Sequence, residues 1–158
     1  MANPSPYRSL PAARRVTLVM HALTATREAR AVYIQRMVAR GGGFRAATLQ
    51  GWSNERLARE VVRMNAESAE DELDLLQLLY VELEPAIQRT FFDSAGVRHD
   101  GGKLAEGLTA PYADEASVRR GAAVVRERHG EDGARYLRTL ARYARDVWPG
   151  IEEIGAAG

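Results

Sequence analysis

The sequence predicts an all-α protein, a single-domain bundle of about five helices with a C-terminal αα-hairpin. Three observations carry that expectation: apolar residues recur at helical spacing, capping residues precede the periodic stretches, and glycine or proline marks the breaks. A length of 158 residues is enough to close one hydrophobic core without metals or disulfides. One domain is therefore expected over 1–158, with 1–10 and 150–158 loosely held and 96–113 a long loop.

From Pro11 to Arg40 the chain favours helix, but one straight helix would place Arg27 and Arg30 inside an apolar seam. Two charges there are costly unless paired, so a break near Thr24–Thr26 is expected, with a threonine capping the second piece. The run Val16-Thr17-Leu18-Val19 is β-branched enough for a strand, yet no second strand is evident to pair with it, and helix is the reading taken. Gly41-Gly42-Gly43 ends this region. Ser53 then caps a helix running to about Asn65, with Trp52 placed to staple onto Leu57 and with Leu57, Val61 and Met64 inward.

Ser68 opens the central helix, with Glu70, Asp71 and Glu72 in the first turn where negative charge suits the helix dipole. Leu73, Leu76, Tyr80, Leu83 and Ile87 form its stripe, widened by Leu75, Leu78 and Leu79. So apolar a helix belongs at the middle of a bundle. Pro85 removes a backbone donor and disfavours helix at Glu84, so a kink or restart is expected there. Asp114–His129 and Glu131–Trp148 follow as the arms of the hairpin, with Gly130 between them and Pro149-Gly150 ending the second.

Composition narrows the chemistry. There is no cysteine, which removes thiolate catalysis, disulfides and cysteine-based metal sites and fits a reducing, cytoplasmic setting. MANPSPYRSL does not read as a signal peptide, and the longest apolar stretch, Leu73 to Leu83, is interrupted by Asp74, Gln77 and Glu82. Of 22 basic residues only Lys103 is lysine, which reads either as a GC-rich, bacterial-like genome or as phosphate recognition by guanidinium forks. Net charge is +1 but unevenly laid out: +8 over 1–63, −9 over 64–115 and +2 over 116–158.

No segment carries a catalytic signature, and no enzyme activity, metal or cofactor is expected. Gly96 to Leu104 superficially resembles a phosphate-binding loop, but Val97 and Leu104 occupy positions that need glycine and a hydroxyl. His21, His99 and His129 lack the spacings of zinc or di-iron helices. His99-Asp100 can be a general acid–base pair or simply a turn with Gly101-Gly102. Glu82, projecting between Leu75, Leu78, Leu79 and Ala86, is expected to meet an arginine of the N-terminal helices or to mark a pocket.

Arg135, Arg138, Arg142 and Arg145 fall within about 80° of one another on the last helix, opposite Leu137, Leu140, Ala144 and Val147, with Tyr136 and Tyr143 beside them. Such a ribbon can grip a nucleic-acid backbone, bind an acidic partner, or be a solvated face. The stretch Gly43–Met64, a short turn and a small capped helix, resembles the compact helix–extension–helix modules that bind nucleic acid. It covers about a seventh of the chain and carries over no functional residues.

The expected function is that of a non-catalytic adaptor or assembly protein recognising a macromolecule through charged helix faces. A protein partner or self-association comes first, because a +8 and a −9 segment can pair between copies as well as within one. A nucleic-acid or ribosome-associated protein using the arginine ribbon comes second, and a ligand-binding or enzymatic bundle around Glu82 or His99 third.

Overall fold

Helix ends follow the local signals closely. In the computed structural model, which describes residues 5–157, helices make up 67% of those residues, and the only sheet among them is a two-strand ribbon. Residues 15–23 are helical, within α1 (Ala12–Ala25). Thr26 then turns to extended backbone and its side chain accepts from Ala29 N at 3.0 Å, capping α2 (Arg27–Ala39). After the glycines, α3 (Ala46–Gln50) and α4 (Asn54–Arg63) follow, the latter capped by Ser53, which accepts from Arg56 N at 3.1 Å.

Ser68 and Asp71 cap the start of α5 (Ala69–Gln77) reciprocally: Ser68 N donates to Asp71 Oδ2 at 2.8 Å and Asp71 N to Ser68 Oγ at 3.1 Å. The helix then widens into a π-helical stretch, Leu78–Leu83, where Glu84 N reaches back five residues to Leu79 O at 2.7 Å. Pro85 lies just beyond, and α6 (Ala86–Ala95) restarts after it. A short hairpin of β1 (His99–Asp100) and β2 (Lys103–Leu104) occupies the segment expected to be irregular.

α7 spans Glu115–Tyr143 with a sharp bend at Gly130, whose φ of 54° and ψ of −129° are not helical. The bend is tight enough that a Cβ added to Gly133 would lie 2.5 Å from Val125 O, eight residues earlier. The tail differs from its composition: 151–156 is α8 (Ile151–Ala156), with Ile151 and Ile154 buried. The start of the chain is likewise held, since Tyr7 and Leu10 are buried; residues 1–4 and 158 lie outside the described ones. Eight α-helices thus appear among the described residues where periodicity gave about five. α3 and α8, five and six residues long, are too short to show a period.

Contacts divide the chain into two compact units, Tyr7–Leu75 and a second containing Pro6 and Leu76 onward. In the first, α1 packs on α2 and α4, burying Leu18, Val19, Ile34, Met37, Leu57 and Val61. In the second, α7 packs against both α6 and α8. Its core is aromatic: Phe91 meets Tyr136 and Trp148 edge-on at centroid distances of 5.8 and 5.0 Å, and Phe92 stacks on Trp148 at 5.7 Å.

Candidate functional site

The arginine ribbon is only partly a surface. Gly133, Arg135, Tyr136, Leu137, Thr139 and Leu140 are all buried, so this half of α7 is enclosed around most of its circumference. A one-stripe wheel cannot anticipate that, and it misplaced two residues. Arg135 is 6% exposed and donates to Asp132 Oδ1 at 2.5 Å. Tyr136 is in the core, its OH donating to Gln88 Oε1 at 3.2 Å and its ring edge-on to Tyr80; burial, then the neighbouring Tyr80, push its pKa well up.

The other ribbon residues reach solvent. Arg138 pairs with Glu131 at 3.0 Å and Arg145 with Glu152 at 3.0 Å. Arg142 is exposed, packs its guanidinium 5.7 Å from the half-buried Tyr143 ring, and has no carboxylate partner among the described residues. Arg138 and Arg142 edge an open groove of about 240 Å³ whose floor is Ala141 of α7, Gly155 and Ala156 of α8, and Pro6, with Glu152 on the rim. Gly155 is what lets the helices close this far: a Cβ there would meet Ala141 Cβ at 2.6 Å.

Glu82 does not form a buried ion pair. Its side chain is 58% exposed, 3.5 Å from Lys103 Nζ rather than from an N-terminal arginine. The reason is the π-helical stretch, which turns through less than 100° per residue and rotates Glu82 out of the seam that an α-helical wheel assigns.

His99 and Asp100 are adjacent on β1, but the imidazole partners elsewhere. His99 Nε2 lies 2.5 Å from Asp93 Oδ1, and Gly102 N donates to His99 Nδ1 at 3.0 Å. Because Nδ1 accepts, the ring proton sits on Nε2 and is directed to Asp93. Both nitrogens are engaged in holding the β-hairpin, and Gln88 Nε2 adds a bond to Gly102 O at 2.6 Å. Asp100 is exposed. His129 meets Thr90 Oγ1 at 2.9 Å, and His21 is exposed on α1.

Sequence patterns missed the most elaborate polar cluster. Glu67, 3% exposed, accepts from Tyr7 OH at 2.7 Å and from Arg8 at 3.1 Å, while Arg8 Nε reaches Glu72 at 2.6 Å and Arg36 pairs with Asp71. Burial, then the Glu67 carboxylate, raise the Tyr7 phenol; burial, then Asp71, raise Tyr33. These bonds join the basic and acidic segments inside one chain. The charge layout signalled such pairing, but Tyr7 and Arg8 stood in a segment expected to be loose.

A second use of arginine was also invisible. Arg30 donates to Leu49 O, Gln50 O and Trp52 O at 3.3, 3.1 and 2.7 Å, gathering the last carbonyls of α3. Arg40 reaches Met64 O at the end of α4, Arg120 reaches Ser94 O near the end of α6, and Arg126 reaches Ile154 O in α8. Helix C-termini leave carbonyls unpaired and carry partial negative charge, and a planar guanidinium answers several at once.

Among the described residues no group of three or more acidic or histidine side chains is arranged to hold a metal, and no helix is long and apolar enough to cross a membrane. Comparison with family models, curated proteins and solved structures returns no match.

Proposed function

We propose that this chain is a non-catalytic interaction protein, of adaptor or assembly type, whose α7–α8 groove takes an acidic segment of a protein partner. The observation that carries this reading is Arg142, an exposed guanidinium without a carboxylate partner among the described residues, at the rim of a groove floored by small residues. Small floor residues let a partner's backbone approach, and arginine is enriched among the residues that dominate interface energies. The exposed pairs Arg138–Glu131 and Arg145–Glu152 are each worth about 0–1 kcal/mol, little enough to be exchanged for a partner's carboxylates. The same reading takes the two halves of α7 as an αα-hairpin closed at Gly130, supported by the close approach of Gly133 to Val125.

The test is binding of a fluorescent oligoglutamate peptide. Arg142→Glu is expected to weaken it by about tenfold or more, and a variant that binds as tightly as the parent rejects the proposal. The reading around Glu82 or His99 has less support, because Glu82 is solvated and both His99 nitrogens are engaged. The ribbon as a nucleic-acid surface also has less, with Arg135 and Tyr136 withdrawn from it.

A further inference from the structure

We propose that the outward face of α4 binds a nucleic-acid phosphate backbone, independently of the α7–α8 groove. α4 buries Leu57, Ala58, Val61 and Val62. Its opposite side carries Arg56, Arg59 and Arg63, within about 60° of one another and stepped along the axis by about 4.5 and 6 Å. Arg59 and Arg63 reach into solvent, their side chains 70% and 69% exposed. The Arg56 guanidinium carbon stands over the Trp52 ring, 4.0 Å from its centroid, so a cation backed by an indole stands at the start of the row, a platform on which a base can stack.

The platform is rigid. The four donor contacts of Arg30 to Leu49 O, Gln50 O, Trp52 O and Asn54 Oδ1 fix the turn between α3 and α4, on which Trp52 sits. Arg27 lies one helical turn before Arg30 on α2, exposed and without an acidic partner among the described residues, and adds positive charge beside that turn.

Glu55 and Glu60 flank the row and pair with Arg59 and Arg63. Exposed helix pairs of this kind are weak and screened by salt, and a phosphate contact, which releases condensed counterions, displaces them. The outward face presents only Glu55, Arg56, Arg59, Glu60 and Arg63, so it has no apolar side chain to reward a peptide. A polymer with a charge at every repeat suits it better.

The experiment measures anisotropy of a labelled duplex of about 20 base pairs between about 50 and 200 mM salt. Three contacts give an expected log–log salt slope of about −2.7. Replacing Arg56, Arg59 and Arg63 together by glutamine should abolish binding, with the far-ultraviolet dichroism unchanged. Glu55→Gln with Glu60→Gln should tighten binding severalfold, a gain no folding defect can imitate. Arg142→Glu should leave it unchanged. Undiminished binding by the triple variant, no gain from the glutamate pair, loss with Arg142→Glu, absence of salt dependence, or equal competition by oligoglutamate each overturns the proposal.

Discussion

The Tyr7 phenol donates to Glu67 at 2.7 Å across sixty positions of sequence, with both residues withdrawn from water. Glu67 also holds Arg8, so one buried carboxylate ties the start of the chain to the entry of α5. Removing the hydroxyl leaves the carboxylate short of one donor. Tyr7→Phe is expected to cost about 1–3 kcal/mol in urea unfolding, and Glu67→Ala, which also strips Arg8 of a partner, about 3 kcal/mol. Equal stability of Glu67→Ala and the parent would show that this cluster contributes nothing.

Alkali should destabilise the protein. Tyr7, Tyr33 and Tyr136 are all raised above the ordinary value of 10.0, chiefly by burial. Below that pH both folded and unfolded chains keep the phenols protonated, and the full stability is present. As pH rises beyond it, the unfolded chain ionises while the folded one cannot, so stability falls. Melting temperatures across that range should decline, and less steeply in Tyr7→Phe than in the parent.

Gly133→Ala places a methyl 2.5 Å from Val125 O, with backbone on both sides of the clash. Destabilisation of about 2 kcal/mol or more is expected. Gly51 is the contrast, since its φ of −80° is ordinary and the nearest atom to an added Cβ lies at 3.5 Å. Gly51→Ala should be neutral or stabilise by up to about 1 kcal/mol. Paired thermal melts decide whether the two respond differently.

Nitrogen-15 spectra of His99 should report the Nε2-protonated neutral ring, because Nδ1 accepts from Gly102. An Nδ1-protonated tautomer would mean that the hairpin is held some other way. His99→Phe should lower stability by about 1–2 kcal/mol and leave oligoglutamate binding at the groove intact.

The breaks at Thr26, Ser53 and Ser68 were legible because a cap is a local device: the residue that ends one backbone pattern also satisfies the first amides of the next. Gly130 was legible for a similar reason. The Glu82 error came from assuming a constant turn angle, which the π-helical stretch ahead of Pro85 breaks. Arg135 and Tyr136 failed differently, because helical periodicity identifies one buried face and this helix is covered on most of its faces. Asp93, six residues before His99, and Glu67, sixty after Tyr7, follow no period at all; only the folded chain brings them together.

The arginines that gather helix-end carbonyls bear on the order in which the protein assembles. An isolated helix needs roughly 12–15 residues to persist in water, and α3 and α8 have five and six. Each has its closing carbonyls held by a side chain of a longer helix, Arg30 of α2 for one and Arg126 of α7 for the other. Neither can therefore act as a nucleus. They are guests of helices already in place, and a growing chain acquires them only after its longer neighbours have formed.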